Sequence, residues 1–90
     1  MTARTFRVID PSGLHARPAA QLVKAMNAAG AQGTLAKGDR VADVRSILEI
    51  LGLGVDAGDL IVLDVNQEAE SALGSLASLL EPVNNDTLHE

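Results

Sequence analysis

Gly13-Leu14-His15-Ala16-Arg17-Pro18 is the stretch of this chain whose residue types and spacing can do chemistry. Proline inside a helix costs about 3 kcal/mol, but in the first turn its missing N–H was never going to be bonded. Pro18 therefore predicts a helix that starts near Ala16, with His15 at the N-cap. The backbone N–H groups of Ala16 and Arg17 then lack intrahelical acceptors and point outward beside the imidazole. Arg17 brings a fixed positive charge to the same place. A residue before proline is pushed away from helical geometry, so a slight distortion is expected at Arg17.

Such a helix mouth attracts anions. Its positive end disfavours an imidazolium and leaves a neutral, nucleophilic ring. A neutral imidazole can attack a phosphoryl group, and the bound phosphate would meet two N–H groups and Arg17 without rearrangement. A charge-assisted hydrogen bond contributes about 1.5–3 kcal/mol, and the helix dipole adds roughly 0.3–1 kcal/mol. That holds a phosphate without trapping it. The residues alone leave two other readings open. One is a solvated or capping histidine; the other is a Ser12/His15 hydrolase pair, for which no orienting acid is evident.

A second candidate is Ser46-Ile47-Leu48-Glu49, the spacing of a capping box. Ser46 would accept from the amide three residues on while Glu49 reaches back, a cap worth about 0.5–2 kcal/mol.

Composition narrows the alternatives. Ninety residues suffice for one domain, read as 1–90, and not for two. Apolar residues are 47% of the chain but Phe6 is its one aromatic, so the core must be built from Leu, Val, Ile and Ala. There is no cysteine, hence no disulfide or thiolate chemistry, and His15 and His89 alone cannot make a metal site. No metal or cofactor is expected. The formal net charge of −5 speaks against nucleic acid, whose binding rests on Lys and Arg. The absence of other aromatics argues against single-strand stacking. The N-terminal residues lack an apolar signal region, and no apolar run approaches the roughly 20 residues of a membrane helix. A soluble, cytoplasmic monomer without membrane insertion is the expectation.

The elements that must position these residues follow from periodicity. Thr5 to Ile9 alternates as a strand with Phe6 and Val8 inward, and Asp10-Pro11-Ser12-Gly13 stops it. Ala19, Leu22, Val23 and Met26 give the Ala16–Ala29 helix one apolar stripe, and Gly30 ends it. Thr34–Lys37 and Arg40–Asp43 flank Gly38-Asp39 as a hairpin. Ile47 to Leu53 reads as a short helix too apolar to spend all its side chains on the core. Leu60–Val65 is the strongest strand and predicted central. Asn66 is placed to cap a last helix with Glu68 and Glu70 in its first turn and Ala69, Leu73, Leu76 and Leu80 as its stripe. Pro82 ends that helix, and residues 82–90 read as a polar tail. The order β-α-β-β-α-β-α predicts an α+β layer: a four-stranded antiparallel sheet with three helices on one face.

With these residues in place the chain resembles a known family. Gly13-Leu14-His15-Ala16-Arg17-Pro18-Ala19 is similar to the active-site signature of HPr, the histidine-containing phosphocarrier family of the bacterial sugar phosphotransferase system. The similarity runs from Thr5 to Leu80 and includes Arg45-Ser46-Ile47-Leu48 through Leu53-Gly54-Val55 and Gly58. It implies an open-faced β-sandwich and phosphorylation of His15 on Nδ1 by phospho-enzyme I, whose donor is phosphoenolpyruvate. It further implies that His15 passes the phosphoryl group to IIA components of sugar permeases, as a carrier rather than an enzyme, with Arg17 pairing the phosphate and Ala16 and Arg17 supplying amides. Ala16, Ala20, Ile47, Leu48 and Leu51 match the family's apolar docking patch, and Lys24 matches a position that helps dock enzyme I. Ser46 matches a serine that, in Gram-positive relatives, HPr kinase/phosphorylase modifies; Glu49 beside it would repel the added charge. Asn27 and Glu49 stand where lysine is frequent in the family. A regulatory interaction module and a carrier for a nitrogen-related branch remain the alternatives to sugar transport.

Overall fold

The computed structural model describes residues 2–83. The alternation of Phe6 and Val8 makes a strand, β1, but it starts earlier than periodicity implied and spans Thr2–Val8, leaving Ile9 half-exposed beyond its end. Next comes α1 (Ala16–Ala29), with Pro18, Ala19, Leu22, Val23 and Met26 buried. Gly30 closes it in the left-handed region: its N–H donates to the Asn27 carbonyl and that of Ala31 to the Met26 carbonyl, which satisfies two otherwise orphaned acceptors. Strands β2 (Gly33–Lys37) and β3 (Arg40–Asp43) pair through Lys37 opposite Arg40, with Gly38 and Asp39 as the turn. The short helix α2 is Ile47–Gly52, and β4 is Leu60–Val65.

The last helix differs from the expectation. Only α3 (Ala69–Leu73) is α-helical; the chain then narrows to a 3₁₀ segment (Gly74–Leu79) and ends in a fifth strand, β5 (Leu80–Pro82). Gly74, Ser75 and Ser78 are weak helix formers, and Gly74 leaves α-helical geometry outright. Leu80 reaches the core from β5 rather than from a helix stripe. Pro82, placed by sequence at the start of a polar tail, pairs with Phe6 on the sheet edge, where a missing N–H is tolerated. Asn66 does not cap α3. Its Oδ1 accepts from the Gln32 N–H at 3.0 Å, and Glu68 takes the N-cap position without a side-chain capping bond. The expected tail from Asn84 onward, including His89, lies outside the described residues.

The sheet is antiparallel throughout, in the order β3-β2-β4-β1-β5. β4 is the middle strand, as its apolar sequence predicted, but only one of its faces is covered. Ile61, Leu63 and Val65 are buried beneath the helices while Leu60 and Val62 look outward. Register aligns Val41, Ala36, Val62 and Thr5 across that open face. On the other face, one apolar cluster joins Phe6, Val8, Leu22, Met26, Leu35, Ile50, Ile61, Leu63 and Leu73, so all three helices seat on the same side.

Candidate functional site

Where β1 ends, the chain has seven residues in which to turn and begin α1. Asp10 organises the turn: its carbonyl accepts from the Gly13 N–H at 2.9 Å and its Oδ1 from the Ser12 N–H at 2.8 Å. Gly13 has φ +69°, and a Cβ there would stand 2.4 Å from the Val55 carbonyl oxygen and 2.8 Å from the Asp56 Cα. Glycine is required at this position twice over, by conformation and by space. Leu14 is buried, and its N–H donates to the Val55 carbonyl at 3.0 Å. His15 is thus delivered to the surface directly after two anchored residues.

His15 is the N-cap of α1, with extended backbone (φ −77°, ψ −170°), and its carbonyl accepts from the Ala19 N–H at 3.0 Å. Its ring is exposed and makes no capping bond. Pro18 is buried at the third helical position, and Arg17 keeps helical structure in front of it. No described residue accepts from the first two N–H groups, Ala16 and Arg17. The Arg17 guanidinium is equally unspent. Of the seven Lys and Arg side chains, Arg4 and Arg7 pair with Glu70 and Glu81, and Lys37 with Asp59. Arg40 bonds the Gly52 carbonyl, and Arg45 the Asn27 Oδ1. Arg17 and Lys24 have no partner among the described residues. Seven residues apart, they fall on one stripe of α1 about 10 Å from each other. The exposed imidazole, the Ala16 and Arg17 amides and the Arg17 side chain thus belong to three consecutive residues at the start of α1. No Ser12–His15 hydrogen bond is present among the described residues, which leaves the hydrolase pair without its first contact.

The docking candidates sit on α1 and α2. Arg45 Nε donates to Asn27 Oδ1 at 2.8 Å at the start of α2, while Val55, just past its end, bonds Leu14. These two ties make α2 run back along α1. Ile50 turns into the core, and Leu48, Ile47 and Leu51 remain 82%, 40% and 37% exposed. Ala16 and Ala20 are exposed on α1, and Lys24 lines a groove between α1 and α3 that includes neither His15 nor Arg17.

Ser46 lies at the other end of the pair. Asn27, to which its neighbour Arg45 is tied, is about 16 Å along the α1 axis from Ala16. Ser46 Oγ accepts from the Glu49 N–H at 3.2 Å, the expected half of the capping box. The reciprocal half is replaced. Glu49 Oε1 accepts from the Asp43 N–H at 3.0 Å, and the Ser46 N–H goes instead to the Asp43 carbonyl. β3 ends at Asp43, and that strand-end donor captures the carboxylate.

Gly52, Gly54 and Gly58 mark a loop here in the sequence, but sequence reasoning missed the ties by which residues 54–59 support this site. The signal was available in Asp56 and Asp59, three residues apart around Gly58, a spacing that lets a carboxylate close a turn on itself.

Comparison with known proteins gives this geometry a family. Residues 2–82 match the family model PTS-HPr, described as the PTS HPr component phosphorylation site. The chain is 44% identical over 82 residues to the phosphocarrier protein HPr of Streptomyces coelicolor, covering 89% of this chain and 88% of that one. It is 38% identical over 81 residues to HPr of Lysinibacillus sphaericus, covering 89% and 92%. The fold matches the crystal structure of HPr from Bacillus anthracis with a TM-score of 0.76 at 30% identity, covering 89% of this chain and 96% of that one. An open antiparallel sheet under three helices is thus the architecture of its relatives too, and the chain belongs to the HPr phosphocarrier family of the phosphotransferase system.

Proposed function

We propose that His15 carries a phosphoryl group in transit. Phospho-enzyme I, charged from phosphoenolpyruvate, donates to the His15 ring. The Nδ1 lone pair forms the new N–P bond as the donor's P–N bond breaks, and that electron pair leaves with the donor ring. The phosphate on His15 is held by the Ala16 and Arg17 amides and by the Arg17 guanidinium until a IIA component of a sugar permease takes it. The observation that supports this reading is the unspent state of all these groups at once. An exposed imidazole, two free N–H donors and an arginine without a partner among the described residues lie on consecutive positions at one helix start. The exposed Leu48, Ile47 and Leu51 of α2, with the exposed Ala16, Ala20 and Lys24 of α1, form the docking surface for both partners. A small exposed patch suits complexes that form and part quickly. The carrier works as a cytoplasmic monomer and needs no metal of its own.

The test is intact mass after incubation with phosphoenolpyruvate, Mg²⁺ and enzyme I, followed by addition of a IIA protein. One acid-labile phosphate should appear on the native chain, be absent from His15→Ala, and move to IIA. Retention of the phosphate by His15→Ala would sink the assignment. Acceptance by a nitrogen-branch IIA but by no sugar-permease IIA would reassign the branch and keep the chemistry.

Ser46 supports a second role, as a target of a kinase of the HPr kinase/phosphorylase type. Its hydroxyl is partly exposed, and Glu49, the carboxylate that would oppose an added phosphate, is drawn off to the Asp43 amide. Incubation with such a kinase and ATP should add an acid-stable phosphate that Ser46→Ala abolishes. No uptake by the native chain would leave Ser46 a cap alone.

A further inference from the structure

The segment that carries His15 is bracketed by a single loop, residues 54–59. On the side where β1 ends, the Gly58 N–H donates to the Val8 carbonyl at 2.8 Å and the Val8 N–H to the Asp59 carbonyl at 3.0 Å. On the side where α1 begins, the Leu14 N–H donates to the Val55 carbonyl, and Gly13 lies directly against Val55 and Asp56. Any displacement of this loop must therefore move the frame on which His15 stands.

The loop is held shut by two side chains. Asp59 closes it internally: its Oδ2 accepts from the Asp56 N–H at 2.8 Å, while the Asp59 N–H donates to the Asp56 carbonyl at 3.1 Å. Lys37, at the end of β2, closes it from outside. Its Nζ donates to the Gly54 carbonyl at 2.6 Å and pairs with Asp59 Oδ2 at 2.9 Å. One ammonium thus ties the first residue of the loop to the last. The Asp56 amide, followed by Lys37, holds the Asp59 carboxyl below its ordinary value. Both side chains are about one-third exposed, so solvent screens the pair and it adds little to global stability. A contact that does little for stability, yet spans the support of a reacting group, has its consequence in position.

We propose that Lys37 and Asp59 are positioning residues for phosphoryl transfer: by tying Gly54 to Asp59 they fix the loop against which Gly13 and Leu14 seat, and with it the place of His15. This rests on the phosphocarrier reading of His15. Phosphoryl transfer depends on in-line placement of the attacking atom, and small misplacements are costly. Loss of the clamp should therefore lower turnover and leave docking, which uses α1 and α2, unchanged.

The test uses Lys37→Met, Asp59→Asn and the conservative Lys37→Arg. Arg4→Met serves as a control that breaks a pair of similar exposure, Arg4–Glu70, away from the loop. Two readouts are taken: hydrogen exchange of the Leu14 amide with His15 ring resonances in the unphosphorylated protein, and steady-state phosphorylation by enzyme I. Lys37→Met and Asp59→Asn should each speed Leu14 exchange and lower kcat about three- to tenfold, with KM within about twofold of the native value. Lys37→Arg should restore kcat, and Arg4→Met should match the native chain. Native kcat and Leu14 exchange in folded Lys37→Met and Asp59→Asn would overturn the proposal, as would an equal loss in Arg4→Met. Should the native chain take up no phosphate, the carrier reading fails. The clamp is then judged on Leu14 exchange and the His15 resonances, where native values in both variants overturn it.

Discussion

Arg17 stands out at the scale of single residues because it has no partner among the described residues in a chain of net charge −5. On the phosphocarrier reading, that charge is kept for the phosphate. Replacing Arg17 with Ala should slow phosphorylation of His15 by about 10- to 100-fold, the worth of one charge-assisted hydrogen bond, and enzyme I kinetics would measure it. Gly13 makes the complementary prediction for stability. Gly13→Ala must place a Cβ against the Val55 carbonyl at positive φ. It should cost at least about 2 kcal/mol in chemical denaturation, with the denaturant slope unchanged. His15, Arg17 and Gly13 were legible in the sequence because Pro18 is tolerated only in the first turn of a helix and Gly13 marks the turn before it, which together put the histidine at the helix start. Glu49 was not legible. The capping-box spacing is a local rule, and the Asp43 amide that captured its carboxylate is brought into reach by the end of β3.

At the scale of elements, α1 and β4 could be read directly, whereas α3 could not. The stripe of α1 is continuous and its ends carry Pro18 and Gly30, so propensity, pattern and termini agree. For α3 they conflict. Ala69, Leu73, Leu76 and Leu80 keep a helical spacing, but Gly74, Ser75 and Ser78 interrupt it, and the free edge of β1 offers Leu80 a ladder. Tertiary pairing won, which adds the fifth strand to the expected four. The excess apolar character of α2 was read as a surface to be covered by a partner, and Leu48 is the sharpest case at 82% exposure. Leu48→Asp should change stability by no more than about 0.5 kcal/mol. It should raise KM toward enzyme I about tenfold, as a central interface side chain does, with kcat retained. Loss of stability with unchanged KM would return Leu48 to the core.

For the molecule as a whole, the ties that matter cross long stretches of sequence. The 54–59 loop joins the ends of β1, α1 and α2, and Lys37 draws the β2–β3 hairpin into the same junction. None of this is visible in local patterns, since Lys37 and Asp59 meet only after the sheet has formed. Asp59 gives the junction a pH signature. Its carboxyl titrates below the ordinary 3.8, held there by the Asp56 amide and by Lys37. A depressed folded value contributes stability that is complete above 3.8 and is lost as pH falls through that lower value. Denaturation midpoints measured from about pH 5 down to pH 2 should therefore fall, and Asp59→Asn should flatten the acid side of that profile. An identical profile in the variant would show that the carboxylate is not engaged in solution.

The central claim is that a phosphate on His15 is received by groups already in place. Amide and ring NMR of the protein before and after phosphorylation by enzyme I tests it most directly. The phosphorus should couple to His15 Nδ1, the largest amide shifts should fall on Ala16 and Arg17, and the amides of β4 should not move. Phosphate on another residue, or shifts spread through the sheet with Ala16 and Arg17 unmoved, would contradict the account.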